Sequence, residues 1–153
     1  MQLRSESKID VIADKQWDIL RCKSFPFSTH AFLSSLEESC CVGEESGWKP
    51  CHLSLWDKKK LAGAICLYEK NNGYGEYIFD HSWANAFENA GGRYYPKLIC
   101  AIPFTPATGP RIMINPENKD SKKIFELIIK TYELIVRNNK LSSAHINLSL
   151  IHI

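Results

Sequence analysis

A chain of 153 residues, 44% hydrophobic and 24% charged, has the balance of an ordinary globular domain, or of one piece of a larger protein, and is long enough to bury a core. Its net charge of +2 carries little information about partners; nucleic-acid binding needs a clustered basic face, and the one dense basic run, Lys58-Lys59-Lys60, reads as a solvated hairpin tip. No apolar run approaches the roughly 20 residues a membrane span requires, and the N-terminus lacks the apolar centre of a signal peptide, so the cytoplasm is the expected compartment.

In chain order, Gln16–Leu20 reads as a short strand or a loop. Pro26 ends that element, and Ser28 or Thr29 caps a helix running to Glu38, with Phe32, Leu33 and Leu36 on one face. Gly43–Pro50 is a polar loop. Cys51–Trp56 alternates, with Cys51, Leu53 and Leu55 opposite His52, Ser54 and Trp56, which is the period of a strand. Asp57–Lys60 turns into a second strand, Leu61–Glu69, which makes a hairpin broken by Asn71-Asn72-Gly73. A helix follows over Ser82–Ala90, capped by Asp80 or Ser82, with Trp83, Phe87 and Ala90 as its apolar stripe and Gly91-Gly92 as its stop.

Leu98–Phe104 is a strand that Pro103 bulges or leaves at an edge. Thr105–Pro110 kinks it, and Arg111–Ile114 resumes extended structure. Lys122–Asn138 is the strongest helix, with Asp120 or Ser121 as cap and Ile124, Leu127, Ile128, Tyr132 and Ile135 along one face. Ala144–Leu150 alternates again, and the chain stops inside that pattern, so its end reads as truncated or artificial as readily as native. The order helix, hairpin, helix, strand, long helix, strand implies an α/β fold of the α+β kind: a mixed sheet with helices on both faces. Its later strands are expected to be parallel across a crossover helix.

Candidate chemistry concentrates between residues 73 and 112. Gly73-Tyr74-Gly75 lacks the remaining glycines of a dinucleotide loop and reads as a tight turn. Glu76 and Asp80 stand four apart. They serve as a general acid and base pair if burial splits their pKa values; alternatively Asp80 caps the next helix and Glu76 pairs with Lys97 or Arg93. Tyr94-Tyr95-Pro96-Lys97 offers rings and a cation for a ligand groove, or packing at a sheet end. In the run from Phe104 to Arg111 a bulge frees backbone groups, and Arg111 can take an anion; a plain edge kink explains the run as well.

The six cysteines, Cys22, Cys40, Cys41, Cys51, Cys66 and Cys100, form no Cys-x-x-Cys pair. They are therefore expected as thiols without zinc. His30, His52, His81, His145 and His152 have no metal-ligand spacing and read as surface or satisfied histidines.

Five segments carry a resemblance. PFSTHAFLSSLEES (26–39), GWKPCHL (47–53), GEYIFDHSWANAF (75–87), YYPKL (94–98) and PFTPATGPRI (103–112) resemble the FemAB-like family, in order and similarly spaced, over all but about the first 20 and the last few residues. The resemblance implies a fold of the GNAT-type acyl-CoA N-acyltransferases, and transfer of an acyl or aminoacyl group to an amine. The donor would be acyl-CoA or aminoacyl-tRNA, and the acceptor a small-molecule or peptide amine. It singles out Glu76 and Asp80 as catalytic candidates. Tyr74, Tyr94, Tyr95, Lys97, Thr105 and Arg111 are the substrate-binding candidates, with no metal.

Family members are more than twice this length and carry two GNAT-like halves, of which this chain resembles the first. It is thus expected to be a single GNAT-like domain whose partner is the missing C-terminal half. The stretch before the long helix, INPENKDSKK, has no glycine and departs from the loop that cradles CoA pyrophosphate in ordinary GNAT enzymes. A non-catalytic recognition module, binding a peptide, a glycan or its own second half, is the alternative.

Overall fold

The computed structural model describes residues 1–20 and 24–150. Its strands are β1 (Gln2–Glu6), β2 (Trp48–Pro50), β3 (His52–Asp57), β4 (Lys60–Ile65), β5 (Tyr68–Lys70), β6 (Lys97–Cys100), β7 (Ile112–Ile114) and β8 (Ala144–Ile146). Its α-helices are α1 (Asp14–Leu20), α2 (His30–Glu38), α3 (His81–Asn89) and α4 (Ser121–Asn138). The fold is mixed α/β. The strands form two four-stranded sheets, ordered β1-β3-β4-β7 and β2-β5-β6-β8, in which only β6 and β8 run parallel. That parallel pair is the crossover expected around the long helix.

The two sheets share one bent hairpin. The strand expected over Leu61–Glu69 breaks at Cys66-Leu67 into β4 and β5, one in each sheet. Opposite the break, the Cys51 N–H donates to the Leu67 carbonyl at 2.9 Å, and the Leu67 N–H donates to His52 Nδ1 at 3.3 Å. His52 therefore does not lie on a polar surface. It is fully buried, and its Nε2 meets Glu37 of α2 at 2.9 Å. Glu37 also accepts the Ile9 N–H at 3.0 Å, so this acid ties the amino-terminal segment to the bend.

The strand expected over Leu98–Phe104 also divides. β6 ends at Cys100, residues 101–111 leave the sheet, and the chain returns as β7 beside β4. The expected bulge is thus an excursion, and it lies opposite the break in the hairpin. Further corrections follow from burial. Gln16–Leu20 belongs to helix α1, because Trp17 and Leu20, three apart, both face the core and Trp17 Nε1 donates to the Ser28 carbonyl at 2.9 Å. The polar loop expected to Pro50 ends in strand β2, with Trp48 buried, and the amino-terminal residues form β1 on β3.

Ala144–Leu150 keeps strand geometry only to Ile146. Leu148 adopts a φ of 51°, and the chain then runs beside Gly109. Thr29 caps α2 as expected, its Oγ1 accepting the Phe32 N–H at 3.2 Å.

Helices cover both faces. Trp17, Leu20 and Leu33 of α1 and α2 pack with Trp48, Trp56, Ala64 and Met113 on one side. Ile124, Ile128 and Tyr132 of α4, spaced by four, pack with Leu53, Leu55, Ile65, Leu98 and Cys100 on the other. Tyr132 Oη reaches the carbonyls of His145 at 2.7 Å and Leu98 at 3.2 Å, which fixes α4 against the parallel pair. On α3 the expected apolar stripe is not buried: Trp83 is 69% exposed, Phe87 is exposed, and only Ala84 faces inward. Among the described residues no helix is long and apolar enough to cross a membrane.

A buried acid and lysine cluster as candidate active site

The second sheet places the site by register. Trp48, Lys70 and Lys97 stand in one row across β2, β5 and β6, and Pro50, Tyr68, Ile99 and His145 stand in the next. Residues two apart on a strand share a face, so both rows point to one side. Lys70 and Lys97 have no exposed surface. Residues 71–80 fold over them. Lys70 Nζ donates to the Tyr74 carbonyl at 3.0 Å and Asn72 Oδ1 at 3.2 Å, and it sits 4.1 Å from the centroid of Trp48. Trp48 Nε1 donates to the same Tyr74 carbonyl at 3.0 Å.

The two acids arrive from that covering segment. Lys97 Nζ lies 3.0 Å from Glu76 Oε2 and 3.1 Å from Asp80 Oδ2, and Tyr94 Oη donates to Asp80 Oδ2 at 2.6 Å. The rings of Tyr94 and Tyr95 stand 5.0 and 5.3 Å from Lys97 Nζ. Two lysines and two carboxylates balance in charge, as groups removed from water must. Two oxygens remain over: Glu76 Oε1 and Asp80 Oδ1 are buried without a hydrogen-bond partner.

The environments push the two acids apart. Burial raises Glu76 above the usual carboxylate range, more than Lys97 lowers it. Burial also pushes Asp80 upward, but the Tyr94 hydroxyl and Lys97 outweigh it and hold this acid below its ordinary value. Burial, then the bond to Asp80, raises Tyr94, and burial takes Tyr95 up to about 12, so both remain phenols at neutral pH. Lys70 is brought down to about 8 by burial, against the pull of Glu76. Burial and the nearby Lys97 lower His145, whose Nε2 lies 2.7 Å from Ser143 Oγ.

The sequence candidates separate on this frame. Glu76, Asp80, Tyr94 and Lys97 come together, with Tyr95 beside them. The ion pair expected between Glu76 and Lys97 or Arg93 is made with Lys97, while Arg93 bonds the Lys140 carbonyl. Asp80 stands at the N-cap position just before α3, yet its side chain does not cap the helix; it is spent on Tyr94 and Lys97.

Tyr74 is exposed and contributes its carbonyl rather than its ring. Gly73-Tyr74-Gly75 is the expected turn: Gly75 has a φ of +77°, and its carbonyl accepts the Phe104 N–H at 3.1 Å. Thr105 and Arg111 belong to the excursion. Thr105 Oγ1 donates to the Pro103 carbonyl at 3.1 Å, and Arg111 makes its contacts with Asn147, Ala107 and Phe25.

Sequence reasoning missed Lys70 and His145. Lys70 falls one residue beyond the expected end of its strand, and only the pairing with Trp48 and Lys97 reveals its row. Burial takes the thiols of Cys51 and Cys66 up to about 12 and raises Cys100 well above its ordinary value, so none of them is a nucleophile at neutral pH. Cys40, Cys41, Cys51, Cys66 and Cys100 are free thiols, and Cys22 lies outside the described residues.

These features define a mixed α/β protein with a charge-balanced polar cluster enclosed between one sheet face and the segment that leads into α3. Compared with known families, residues 8–150 match the FemAB-like family, described as peptidoglycan biosynthesis/recognition, and the chain belongs to that family. The match begins well ahead of the first resembling motif at residue 26. No curated protein and no solved structure matches the chain.

Proposed function

We propose that this protein transfers an acyl or aminoacyl group to an amine of a peptidoglycan precursor, with Glu76 as the proton acceptor. Membership of a peptidoglycan biosynthesis/recognition family supports a peptidoglycan precursor as the substrate class. The observation that carries the chemistry is Glu76 itself: buried, held through one oxygen by Lys97, and left with the other oxygen unpartnered. A proton acceptor near neutral pH needs a raised pKa and an open lone pair, and the neighbouring Asp80 is set the opposite way. Asp80 stays ionised and keeps Lys97 and Tyr94 in place while Glu76 gains and loses its proton.

In the reaction the amine nitrogen forms a bond to the acyl carbon and passes a proton to Glu76 Oε1. The bond from that carbon to sulfur or oxygen breaks, and the thiol or ribose hydroxyl that leaves takes up a proton. Acyl-CoA and aminoacyl-tRNA are the donors considered. The turn before α4 has no glycine, so in this reading a second GNAT-like half, completing the cleft, holds the donor. Both donors are cytoplasmic, so this reading goes with a cytoplasmic protein.

A recognition module is the second reading. Tyr74, Tyr77, Phe79, Trp83 and Phe87 expose their rings along the covering segment and α3, more than scattered surface residues would. The test incubates the full-length protein with acetyl-CoA or charged tRNA and an amine-bearing precursor, and follows the product mass. Transfer that is lost in Glu76→Gln supports the catalytic reading. Precursor binding without product from either donor leaves recognition as the function.

A further inference from the structure

A second buried polar site lies under the excursion between β6 and β7. Arg111 is only 3% exposed. Its Nε donates to the Asn147 carbonyl at 2.8 Å and its Nη2 to the Ala107 carbonyl at 2.6 Å. Both acceptors are neutral. Among the described residues no carboxylate pairs with this guanidinium, and Nη1 is buried with no partner. The neighbouring Asn147 is also buried, and its Nδ2 is likewise unpartnered.

Buried charges are ordinarily paired, because an isolated ion inside a protein loses its hydration with nothing to replace it. A guanidinium that bonds only carbonyls, beside an amide with its N–H group unused, is a site short of one anion. Its walls are built: the Phe25 ring lies 5.5 Å from the guanidinium and packs on Gly109, where a Cβ would come within 2.4 Å of that ring. Gly109 in turn bonds the Leu148 carbonyl at 3.0 Å, which ties this roof to the chain after β8. The cover on the open side is the turn 104–108, where Phe104, Pro106 and Thr108 are exposed.

We propose that Arg111 and Asn147 form a carboxylate-binding site beneath the 101–111 excursion, with Arg111 Nη1 and Asn147 Nδ2 donating to the two oxygens of a carboxylate that enters under the 104–108 turn. Two unused donors match two oxygens, and one positive charge matches one negative. A phosphate would leave an oxygen without a donor and bring more charge than the site offers. Asn147 lies two residues past His145, which pairs with Ile99, itself two past Lys97. The Asn147 N–H donates to the Cys100 carbonyl at 3.0 Å, so the carboxylate site lies just past the end of β6, the strand that begins at Lys97. A peptide with an amine at one end and a carboxylate at the other spans both. The carboxylate site stands independently of the transfer reading.

Titration of the full-length protein with sodium acetate, at constant ionic strength against chloride, tests it. The signals are the Arg111 Nε–H resonance and the thermal midpoint. Acetate is expected to shift the resonance saturably and raise the midpoint, and inorganic phosphate is expected to do neither. Asn147→Ala keeps the backbone carbonyl but removes one donor, so acetate binding weakens roughly tenfold or more. Asn147→Asp supplies the carboxylate from within, so the midpoint rises without acetate and the acetate response disappears. No acetate response in the wild-type protein, an equal response in both variants, or a stronger response to phosphate overturns the assignment. None of these readouts involves group transfer, so failure here and failure of the Glu76 mechanism are separate results.

Discussion

Lys70 and Lys97 face each other directly across the β5–β6 ladder, and neither exposes any surface. Like charges placed opposite on neighbouring strands repel, and burial removes the water that would screen them. Glu76 and Asp80 offset that repulsion unequally. Lys97 takes both carboxylates, while Lys70 bonds only the Tyr74 carbonyl and the Asn72 amide oxygen above the face of Trp48. Lys70 is the group that yields, brought down to about 8.

Replacing Lys70 with methionine should therefore stabilise the protein near neutral pH. Both acceptors keep another donor: Trp48 Nε1 for the Tyr74 carbonyl and the Tyr74 N–H for Asn72. The folded pKa of Lys70 lies below its ordinary 10.5, so the folded chain holds fewer protons between about 8 and 10.5. The lysine thus costs stability below about 8, and the cost fades as pH rises through that window. The advantage of Lys70→Met should be on the order of 1–3 kcal/mol at pH 7 and shrink toward pH 10.5. Denaturant titrations of both proteins across that range decide it; a constant difference would mean that Lys70 keeps an ordinary pKa.

Glu76→Gln has a window of its own. Burial raises the Glu76 pKa above its ordinary 4.5, so the folded chain keeps a proton that the unfolded chain releases. Stability from this group is present at acid pH and declines as pH rises past 4.5. Glutamine has no such loss and retains an oxygen for Lys97. The stability of Glu76→Gln relative to wild type should therefore climb with pH from 4.5 upward. A relative stability that falls over that range would place the Glu76 pKa below its ordinary value and remove it as proton acceptor.

Tyr94→Phe acts on the other acid. The Tyr94 hydroxyl is one of the groups holding Asp80 low, so its removal raises the Asp80 pKa. A depressed carboxylate contributes stability above its unfolded value of 3.8 and loses it as pH falls through the folded value. Acid unfolding of Tyr94→Phe should begin at higher pH than in wild type. The lost bond to a charged acceptor should cost about 1.5–3 kcal/mol at pH 7. Acid titration followed by near-ultraviolet circular dichroism provides the comparison.

The acid and lysine cluster also shows where the sequence was legible. Glu76, Asp80 and Lys97 stand in a run whose composition marks a candidate site, and α4 and the hairpin follow from periodicity alone. What periodicity could not report was where strands end. Cys66-Leu67 continues an apolar pattern, yet the hairpin changes sheets there because His52 takes the Leu67 N–H that the sheet would otherwise use. Lys70 and His145 were hidden for the same reason: their meaning lies in cross-strand rows, which a linear pattern does not contain. Local cap preference offers Asp80 to α3, whereas the bonds it makes reach 14 and 17 residues along the chain.

The contact between the covering segment and the excursion rests on Gly75. Its φ of +77° is left-handed, its carbonyl accepts the Phe104 N–H at 3.1 Å, and the Phe104 ring lies against it. A Cβ there would stand 2.5 Å from Phe104 Cε1 and 3.0 Å from Trp48 Nε1. Gly75→Ala should thus lose about 1–2 kcal/mol to backbone conformation and more to the displaced ring. Gly43→Ala is the control, since a Cβ at Gly43 meets nothing within 4 Å. Adding Phe104→Ala separates the two costs. If the ring is the obstacle, the double variant should be more stable than the sum of the single changes predicts, because the collision counted in Gly75→Ala is absent once the ring is gone. Strict additivity would assign the whole penalty to the backbone, and the Phe104 ring would then not be what holds the two segments together over Glu76.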